Sequence, residues 1–215
     1  MWAPVDRRVL EGRRVRLEPF EAERHEAALY ESLHAEGDPH LWDYLPYGPF
    51  ERGEWHAWFE ANAESRDPLF FAILVEGTPR GQASYLRIEP GHGVIEIGHI
   101  ALGPALQRTP AATEAMFLLA RHAFDDLRYR RLEWKTDSQN ARSRRAAERL
   151  GFTFEGIFRQ HMIVKGRNRD SAWFSIIDGE WPSRRAAFEA WLDPANFDEA
   201  DRQRRSLGDI RATRL

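Results

Sequence analysis

The stretch Val94-Ile95-Glu96-Ile97-Gly98-His99-Ile100-Ala101-Leu102, followed by Gly103-Pro104-Ala105-Leu106-Gln107-Arg108-Thr109-Pro110, decides how this chain is read. An apolar strand empties into a linker, and the linker feeds a helix expected from about Ala111. A second apolar strand, residues 131–135, runs into Asp137-Ser138-Gln139-Asn140-Ala141-Arg142-Ser143. A further helix follows and closes at Leu150-Gly151-Phe152. The order is strand, loop, helix, strand, polar corner, helix. A loop that feeds a helix start offers unpaired backbone N–H groups, so this order is suited to holding a phosphate.

Upstream, residues 14–18 alternate and predict a short strand that ends at Pro19. Residues 21–36 predict an amphipathic helix with Ala22, Leu29 and Leu33 on its buried side, stopped by Gly37-Asp38-Pro39. Leu41-Trp42-Asp43-Tyr44-Leu45-Pro46-Tyr47-Gly48-Pro49-Phe50 is dense in aromatics and prolines. It reads as a loop that either closes a peripheral apolar patch or walls a substrate site. A helix over 51–62 is anchored by Trp55, Trp58 and Phe59. Strands over 69–75, 82–88 and 94–102 are joined by short turns, which predicts an antiparallel meander.

Downstream, Phe117, Ala120 and Phe124 share one face of the helix expected over 111–124. Strands over 152–164 and 171–177 flank a turn at 165–168. A short helix is expected over 182–191. Residues 193–215 mix Asp, Arg and Gln with few apolar residues and are expected to be loosely held. The division is thus a single domain over 12–182, with a short helix and tail over 183–215.

At 215 residues the chain suits one domain with a sizeable core. Interleaved helical and strand patterns predict an α+β fold in three layers, α/β/α. A net charge of -3 makes no general case for nucleic acid or a membrane surface as partner. The absence of cysteine excludes disulfides, thiolate metal sites and a cysteine nucleophile, and fits a reducing compartment. Met1-Trp2-Ala3-Pro4 meets charge at Asp6-Arg7-Arg8 too soon for a signal peptide. No apolar run approaches membrane-spanning length, so a cytoplasmic location is expected.

Several segments carry a resemblance: Glu96-Ile97-Gly98, Gln107-Arg108, Thr113-Glu114-Ala115, Asn140-x-x-Ser143, Ala147-Glu148-Arg149-Leu150-Gly151-Phe152-x-x-Glu155-Gly156 and Arg167-Asn168-Arg169-Asp170. In this order, over residues 12–181, the chain resembles the GNAT (GCN5-related N-acetyltransferase) superfamily. Within it, the chain is similar to the branch that acetylates ribosomal-protein N-termini at alanine or serine. The resemblance implies an acyl-CoA acyltransferase fold, with a mixed, mostly antiparallel sheet and a splayed central strand pair. It implies acetyl-CoA or another acyl-CoA as co-substrate, no metal, and a primary amine on a protein N-terminus or small molecule as acceptor. It leaves a monomer or a homodimer open, along with the identity of the acceptor and the acyl group.

By that resemblance, the pyrophosphate falls to Gln107, Arg108, Thr109, Ala111 and Ala112. The family pattern there, Gln/Arg-x-x-Gly-x-Gly/Ala, is altered by Pro110 and Ala111. Proline contributes no N–H, though at a helix start it forfeits no hydrogen bond. Ile100 and Leu102 offer a strand edge to the pantetheine amides. Asn140 holds the same arm or simply caps the following helix. Ser143 assists thiolate departure or bonds locally. Arg142 and Arg145 crowd the same turn with Arg144, where one or two of the three either reach the 3'-phosphate or simply serve surface solubility.

The implied reaction is direct attack of the amine on the thioester in a ternary complex. The ammonium must first lose a proton to a carboxylate or imidazole. Glu96 interrupts an apolar strand, where a carboxylate is costly unless it faces a cavity or a partner, such as a neighbouring arginine. His99 is the second candidate. In a regular strand residues three apart face oppositely, so the two converge only if a bulge changes the parity. A backbone N–H near Ile100 would stabilise the thioester oxygen. Asp43, Tyr44, Tyr47, Arg159 and His161 are candidates for contact with the acceptor. The Arg167-Asn168-Arg169-Asp170 cluster reads as a turn network. Two other classes compete: a catalytically idle acyl-CoA-binding protein, favoured by the altered loop, and a ribosome- or RNA-associated protein using arginines 128, 130, 131, 142, 144 and 145.

Overall fold

The structure, a computed structural model, describes residues 2–213; Met1 and the last two residues of the expected tail lie outside it. The core element is β3 (Leu69–Val75), whose side chains are buried on both faces. Leu69, Phe71 and Ile73 enter one apolar cluster, while Phe70, Ala72 and Leu74 enter another. Period-two alternation thus makes β3 the divider between two helical layers. One layer holds α1 (Ala22–Tyr30) and α2 (Arg52–Ala63), with Leu29, Trp55 and Phe59 against the sheet. The other holds α3 (Pro110–Arg121) and α5 (Trp181–Leu192), where Phe117 meets Phe188 at 5.3 Å between ring centroids. The three-layer α/β/α architecture follows.

The remaining strands are β1 (Leu10–Glu11), β2 (Arg16–Pro19), β4 (Thr78–Glu89), β5 (Val94–Leu102), β6 (Arg131–Asp137), β7 (Thr153–Val164) and β8 (Arg167–Ile177). They form one sheet in the order β1-β2-β3-β4-β5-β6-β8-β7. Every neighbouring pair is antiparallel except β5 and β6. The meander β3-β4-β5 is as expected. The two-residue β1 has too little alternation to be read from sequence. Glu114, buried in α3, ties the β1–β2 turn down by accepting the N–H groups of Arg13 (2.8 Å) and Arg14 (2.6 Å).

The feature that opens a site is the β5–β6 pair. Its parallel register covers only Val94–Arg131, Ile95–Leu132 and Glu96–Glu133. Beyond Glu96 the strands part. The other side of β5 shows why: Gln82 faces Ala101 and Ser84 faces Gly98, so β5 carries one extra residue. His99 sits there at φ 50°. A bulge of this kind bends its strand and changes the parity of side chains beyond it. The expected bulge and the expected splay are therefore one feature.

The C-terminal stretch corrects the expectation of a loosely held tail. Trp181, Phe188 and Trp191 of α5, then Phe197, Leu207 and Ile210, all join the main core. Asn196 pins the turn by donating to the carbonyls of Trp191 (3.0 Å) and Arg205 (3.2 Å) and accepting the Arg205 N–H (3.0 Å). A last helix, α6 (Leu207–Ala212), is capped by Ser206, whose side chain accepts the Asp209 N–H. Apolar residues this widely spaced leave no periodic signal, yet each finds a hole in a preformed surface. The chain from α5 onward therefore belongs to the same core as residues 12–182.

Candidate active site

The gap between β5 and β6 opens onto a cleft of about 1290 Å³. Its walls come from the loop after α1, from β4, β5, β6 and β8, from the starts of α3 and α4 (Ala141–Leu150), and from the C-terminal segment. At its outer end the linker before α3 folds on itself. Leu106 and Gln107 donate backbone N–H groups to the Gly103 carbonyl at 2.9 and 3.1 Å. Thr109 donates to the Leu106 carbonyl, and its hydroxyl accepts the Ala112 N–H at 3.2 Å, capping α3. Two of the four N–H groups expected to meet a phosphate, those of Thr109 and Ala112, are thus satisfied internally. Those of Arg108, held at φ 60°, and Ala111 have no acceptor among the described residues. The Ala111 methyl is turned into the core. Gln107 braces the end of β5 by donating to the Leu102 carbonyl at 2.8 Å.

Asn140 serves as the cap of α4, its Oδ1 accepting the Ser143 N–H at 3.0 Å. Its amide nitrogen has no partner among the described residues and Asn140 lines the cleft, so cap and ligand roles are compatible. Arg108 and Arg145 line the same end without an ion-pair partner among the described residues, whereas exposed Arg142 reaches Asp38 at 3.4 Å. Arg144 instead donates to the Ser138 carbonyl. Trp191, Phe197 and Gln203 complete the far wall. Sequence reasoning missed these three because the tail was not expected to fold.

The inner end is charged, and its carboxylate is buried. Glu96 is 3% exposed, and its Oε2 accepts from both Arg87 (3.0 Å) and Lys135 (3.0 Å). Lys135 also reaches Glu133 at 2.8 Å and lies 3.7 Å over the Trp173 ring. Oε1 of Glu96 has no donor among the described residues and lies on the Gly98 side, where Gly98 also lines the cleft. Burial pushes the Glu96 carboxyl above the usual range, and the charges of Lys135 and Arg87 oppose that push. Pairing with arginine and access to the cavity therefore coexist in one side chain. Arg87 is aimed by a second bulge, in β4, where it sits at φ 47° and Asp67 accepts the N–H groups of Arg87 (2.9 Å) and Ile88 (3.1 Å).

His99 reaches the same cleft, as the bulge requires. Burial, then the charges of Arg87 and Arg169, lower its pKa to about 4, so its ring is neutral near pH 7. Nδ1 lies 2.9 Å from the Tyr47 hydroxyl, which also accepts from Gln82 Nε2 at 3.3 Å. A Tyr47 hydroxyl that accepts from Gln82 and donates to Nδ1 leaves the ring proton on Nε2, and in that tautomer His99 offers a donor.

On the opposite wall Ser143 lines the cleft at the start of α4. Its Oγ accepts the Trp134 indole N–H at 2.9 Å. Indole only donates, so the serine proton stays free for an acceptor in the cleft.

Other expectations divide. Asp43 and Tyr44 line the cleft, with Tyr44 donating across its mouth to the Gln139 carbonyl at 3.4 Å. Tyr47 stands behind His99, stacked on it at 5.4 Å between centroids, and does not reach the wall. The 41–50 loop is both things it was read as. Leu41, Leu45 and Pro46 wall the cleft, while Trp42 and Phe50 pack on the second core. Lys165, on the β7–β8 turn, fastens it by donating to the carbonyls of Trp42 and Gly48. Arg159 and His161 are exposed on β7 and stand off the cleft wall, because the irregular β7–β8 register turns them outward. Conversely Arg169, read as part of a turn network, lines the cleft, while Asn168 and Asp170 do form that network at 2.9 Å. Arg87, Lys135 and Arg169 carried no sequence signal beyond isolated charge.

Among the described residues no group of three His, Cys, Asp or Glu is placed to hold a metal, and no helix is long and apolar enough to cross a membrane. The model of the acetyltransferase (GNAT) domain matches residues 14–153. A crystal structure of a GCN5-related N-acetyltransferase from Brucella melitensis is 48% identical, superposes with a TM-score of 0.96, and covers 98% of this chain and 97% of that one. The "Uncharacterized N-acetyltransferase p20" of Bacillus licheniformis is 31% identical over 113 residues, 52% of this chain. YdaF of Bacillus subtilis, provisionally named a ribosomal N-acetyltransferase, is 28% identical over 109 residues, 51% of this chain. These matches span 63% and 59% of those two relatives' own lengths. The splayed β5–β6 pair, the capped helix starts on either side of it and these likenesses agree: the chain belongs to the GNAT acetyltransferase family.

Proposed function

We propose that this protein transfers an acyl group, acetyl by default, from acyl-CoA to a primary amine by direct attack in a ternary complex. The observation that carries the reading is the splay. The edge of β5 beyond Glu96 has no strand partner, and it faces a cleft bounded by Asn140 and Ser143 on one side and by the Glu96 carboxylate on the other. An unpaired edge inside a cleft suits a ligand that itself carries amides. The free N–H groups of Arg108 and Ala111, the start of α3 and the arginines Arg108 and Arg145 suit its phosphates. Arg142 supplies a weaker third cation, already engaged by Asp38. Acyl-CoA supplies the activated thioester.

Each side chain then has a task. Glu96, made more basic by burial and open at Oε1, takes the ammonium proton directly or through a water. Ser143, its oxygen occupied by Trp134, donates its proton to the departing sulfur. His99 presents Nε2–H to the acceptor side. Asp43 and Tyr44 border the acceptor's entrance. The acceptor is a protein N-terminus or a small amine; the provisional ribosomal name of YdaF supports the first. A cytoplasmic location fits a soluble thioester donor.

The test is release of free CoA thiol from acetyl-CoA in the presence of a panel of N-terminal peptides and small amines, beside equilibrium binding of acetyl-CoA. Binding with amine-dependent thiol release is expected. Binding without release from any amine would make the protein an idle carrier of acyl-CoA, and no binding would end the reading.

A further inference from the structure

The inner end of the cleft carries a cation with no counter-ion. Arg87 is matched by Glu96, Lys135 by Glu96 and Glu133, and Arg131 by Glu133 and Glu155. Arg169 lines the same cavity and pairs with no carboxylate among the described residues. Asp137 and Glu96 act on it only at longer range, and Arg87 repels it. A guanidinium does not escape this by losing its proton. Even partial withdrawal from water without a partner is costly, so an arginine serving structure alone is ordinarily met by an acceptor.

Arg169 is also aimed. Its Nε–H donates to Ser171 Oγ at 3.2 Å, and Ser171 is fully buried. The same hydroxyl lies 2.8 Å from His161 Nδ1. An arginine Nε–H only donates, so the serine oxygen accepts from Arg169 and the serine proton is left to turn toward His161. That contact fixes the plane of the guanidinium and leaves both terminal nitrogens without a partner among the described residues. Two parallel N–H donors in one plane match a carboxylate. Of its neighbours, Glu96 spends Oε2 on Arg87 and Lys135, and among the described residues it makes no ion pair with Arg169.

We propose that Arg169 is the receptor for a carboxylate carried into the reacting end of the cleft by one of the two substrates, either the amine acceptor or the acyl group. The inference rests on the acyl-transfer reading and narrows its substrate class. The acceptor is an amino acid or a peptide whose first residues are acidic, or the acyl group is that of a dicarboxylic acid.

The experiment compares wild type with Arg169→Gln and Arg169→Lys. Acetyl-CoA binding, which belongs to the outer end, serves as a control and is expected unchanged, and the melting temperature of Arg169→Gln is expected to equal or exceed that of wild type. One arm measures kcat/KM with acetyl-CoA for glutamate, aspartate and acid-leading peptides against their amidated counterparts. The second arm compares succinyl-CoA with butyryl-CoA, which has the same chain length and no charge. A third arm titrates free succinate and N-acetylglutamate by calorimetry and needs no turnover.

Wild type is expected to prefer the carboxylate in one of the first two arms by roughly a hundredfold, the scale of a desolvated charge pair. Arg169→Gln should abolish that preference and Arg169→Lys restore part of it. The arm that responds names the source. Equal preference in wild type and Arg169→Gln, or none in wild type, overturns the proposal. Should no amine be acylated, the acyl-transfer reading fails by itself. The calorimetric arm then decides: succinate or N-acetylglutamate binding that Arg169→Gln removes upholds the receptor, and binding absent or unchanged refutes it.

Discussion

The two ends of the cleft are built by opposite means. At the outer end the parts are local: Thr109 caps Ala112, Asn140 caps Ser143, and Gln107 braces Leu102, each within a few positions of its partner. The cations there, Arg108 and Arg145, stand in solvent. At the inner end Arg87, Glu96, Lys135 and Arg169 come from four different strands and meet around the buried Glu96–Lys135 pair. Water screens the first kind of charge far more than it screens that pair, so a like substitution has unlike consequences. On the proposed reading, the outer end holds a ligand by many small contributions and the inner end does chemistry with a few large ones.

Substitutions at the inner end should therefore break function most. Glu96→Gln is expected to lower kcat by about 10²–10⁴, the usual range for a lost general base, with acetyl-CoA affinity unchanged. In wild type the rate should rise with pH through a pKa above the ordinary carboxylate range, because the ionised form is the base and burial raises its pKa. Arg87→Gln removes an opposing charge and should move that limb further up. A pH–rate profile of both proteins checks the direction.

Ser143→Ala comes next, with kcat lower by about tenfold for one lost hydrogen bond to a developing thiolate. Chemistry followed in a single turnover separates it from product release. Asn140→Ala tests the outer end in a middle range. Loss of the cap costs about 1 kcal/mol of stability. Acetyl-CoA should bind about tenfold more weakly, with little change in single-turnover rate once saturated.

His99 sharpens the comparison through stability. Its folded pKa, about 4, lies below the unfolded value of roughly 6.5, so between these pH values the unfolded chain binds more protons. The contribution of neutral His99 is fully present above the unfolded pKa and is lost as pH falls toward 4, up to about 3 kcal/mol in total. Denaturation midpoints of His99→Gln should decline less steeply on acidification than those of wild type. The smallest effect belongs to Arg145→Ala, about two- to fivefold in acetyl-CoA affinity, as expected for an exposed charge. It should vanish in high salt and when dephospho-CoA replaces CoA.

What sequence revealed follows the same division. The meander and the Asn140 cap rest on neighbouring residues, the bulge near His99 came with the family resemblance, and all three stand where they were expected. Glu96 was visible because a carboxylate in an apolar strand demands an explanation. Arg87, Lys135 and Arg169 were not, since a lone basic residue looks the same whether it faces solvent or a buried carboxylate from another strand. Arg169 in particular sits between Asn168 and Asp170, which do form a turn network, and strand alternation turns it the other way. The C-terminal segment was misjudged for a related reason: Trp191, Phe197, Leu207 and Ile210 are anchors that only a folded surface makes legible.

The most direct test of the account is the single-turnover rate of acyl transfer in Glu96→Gln at saturating acetyl-CoA, measured beside the Kd for acetyl-CoA on the same preparation. Separate ends predict a rate lower by at least about a hundredfold and an unchanged Kd. A rate equal to that of wild type, or a loss in Kd as large as the loss in rate, would contradict both the role given to Glu96 and the division of the cleft.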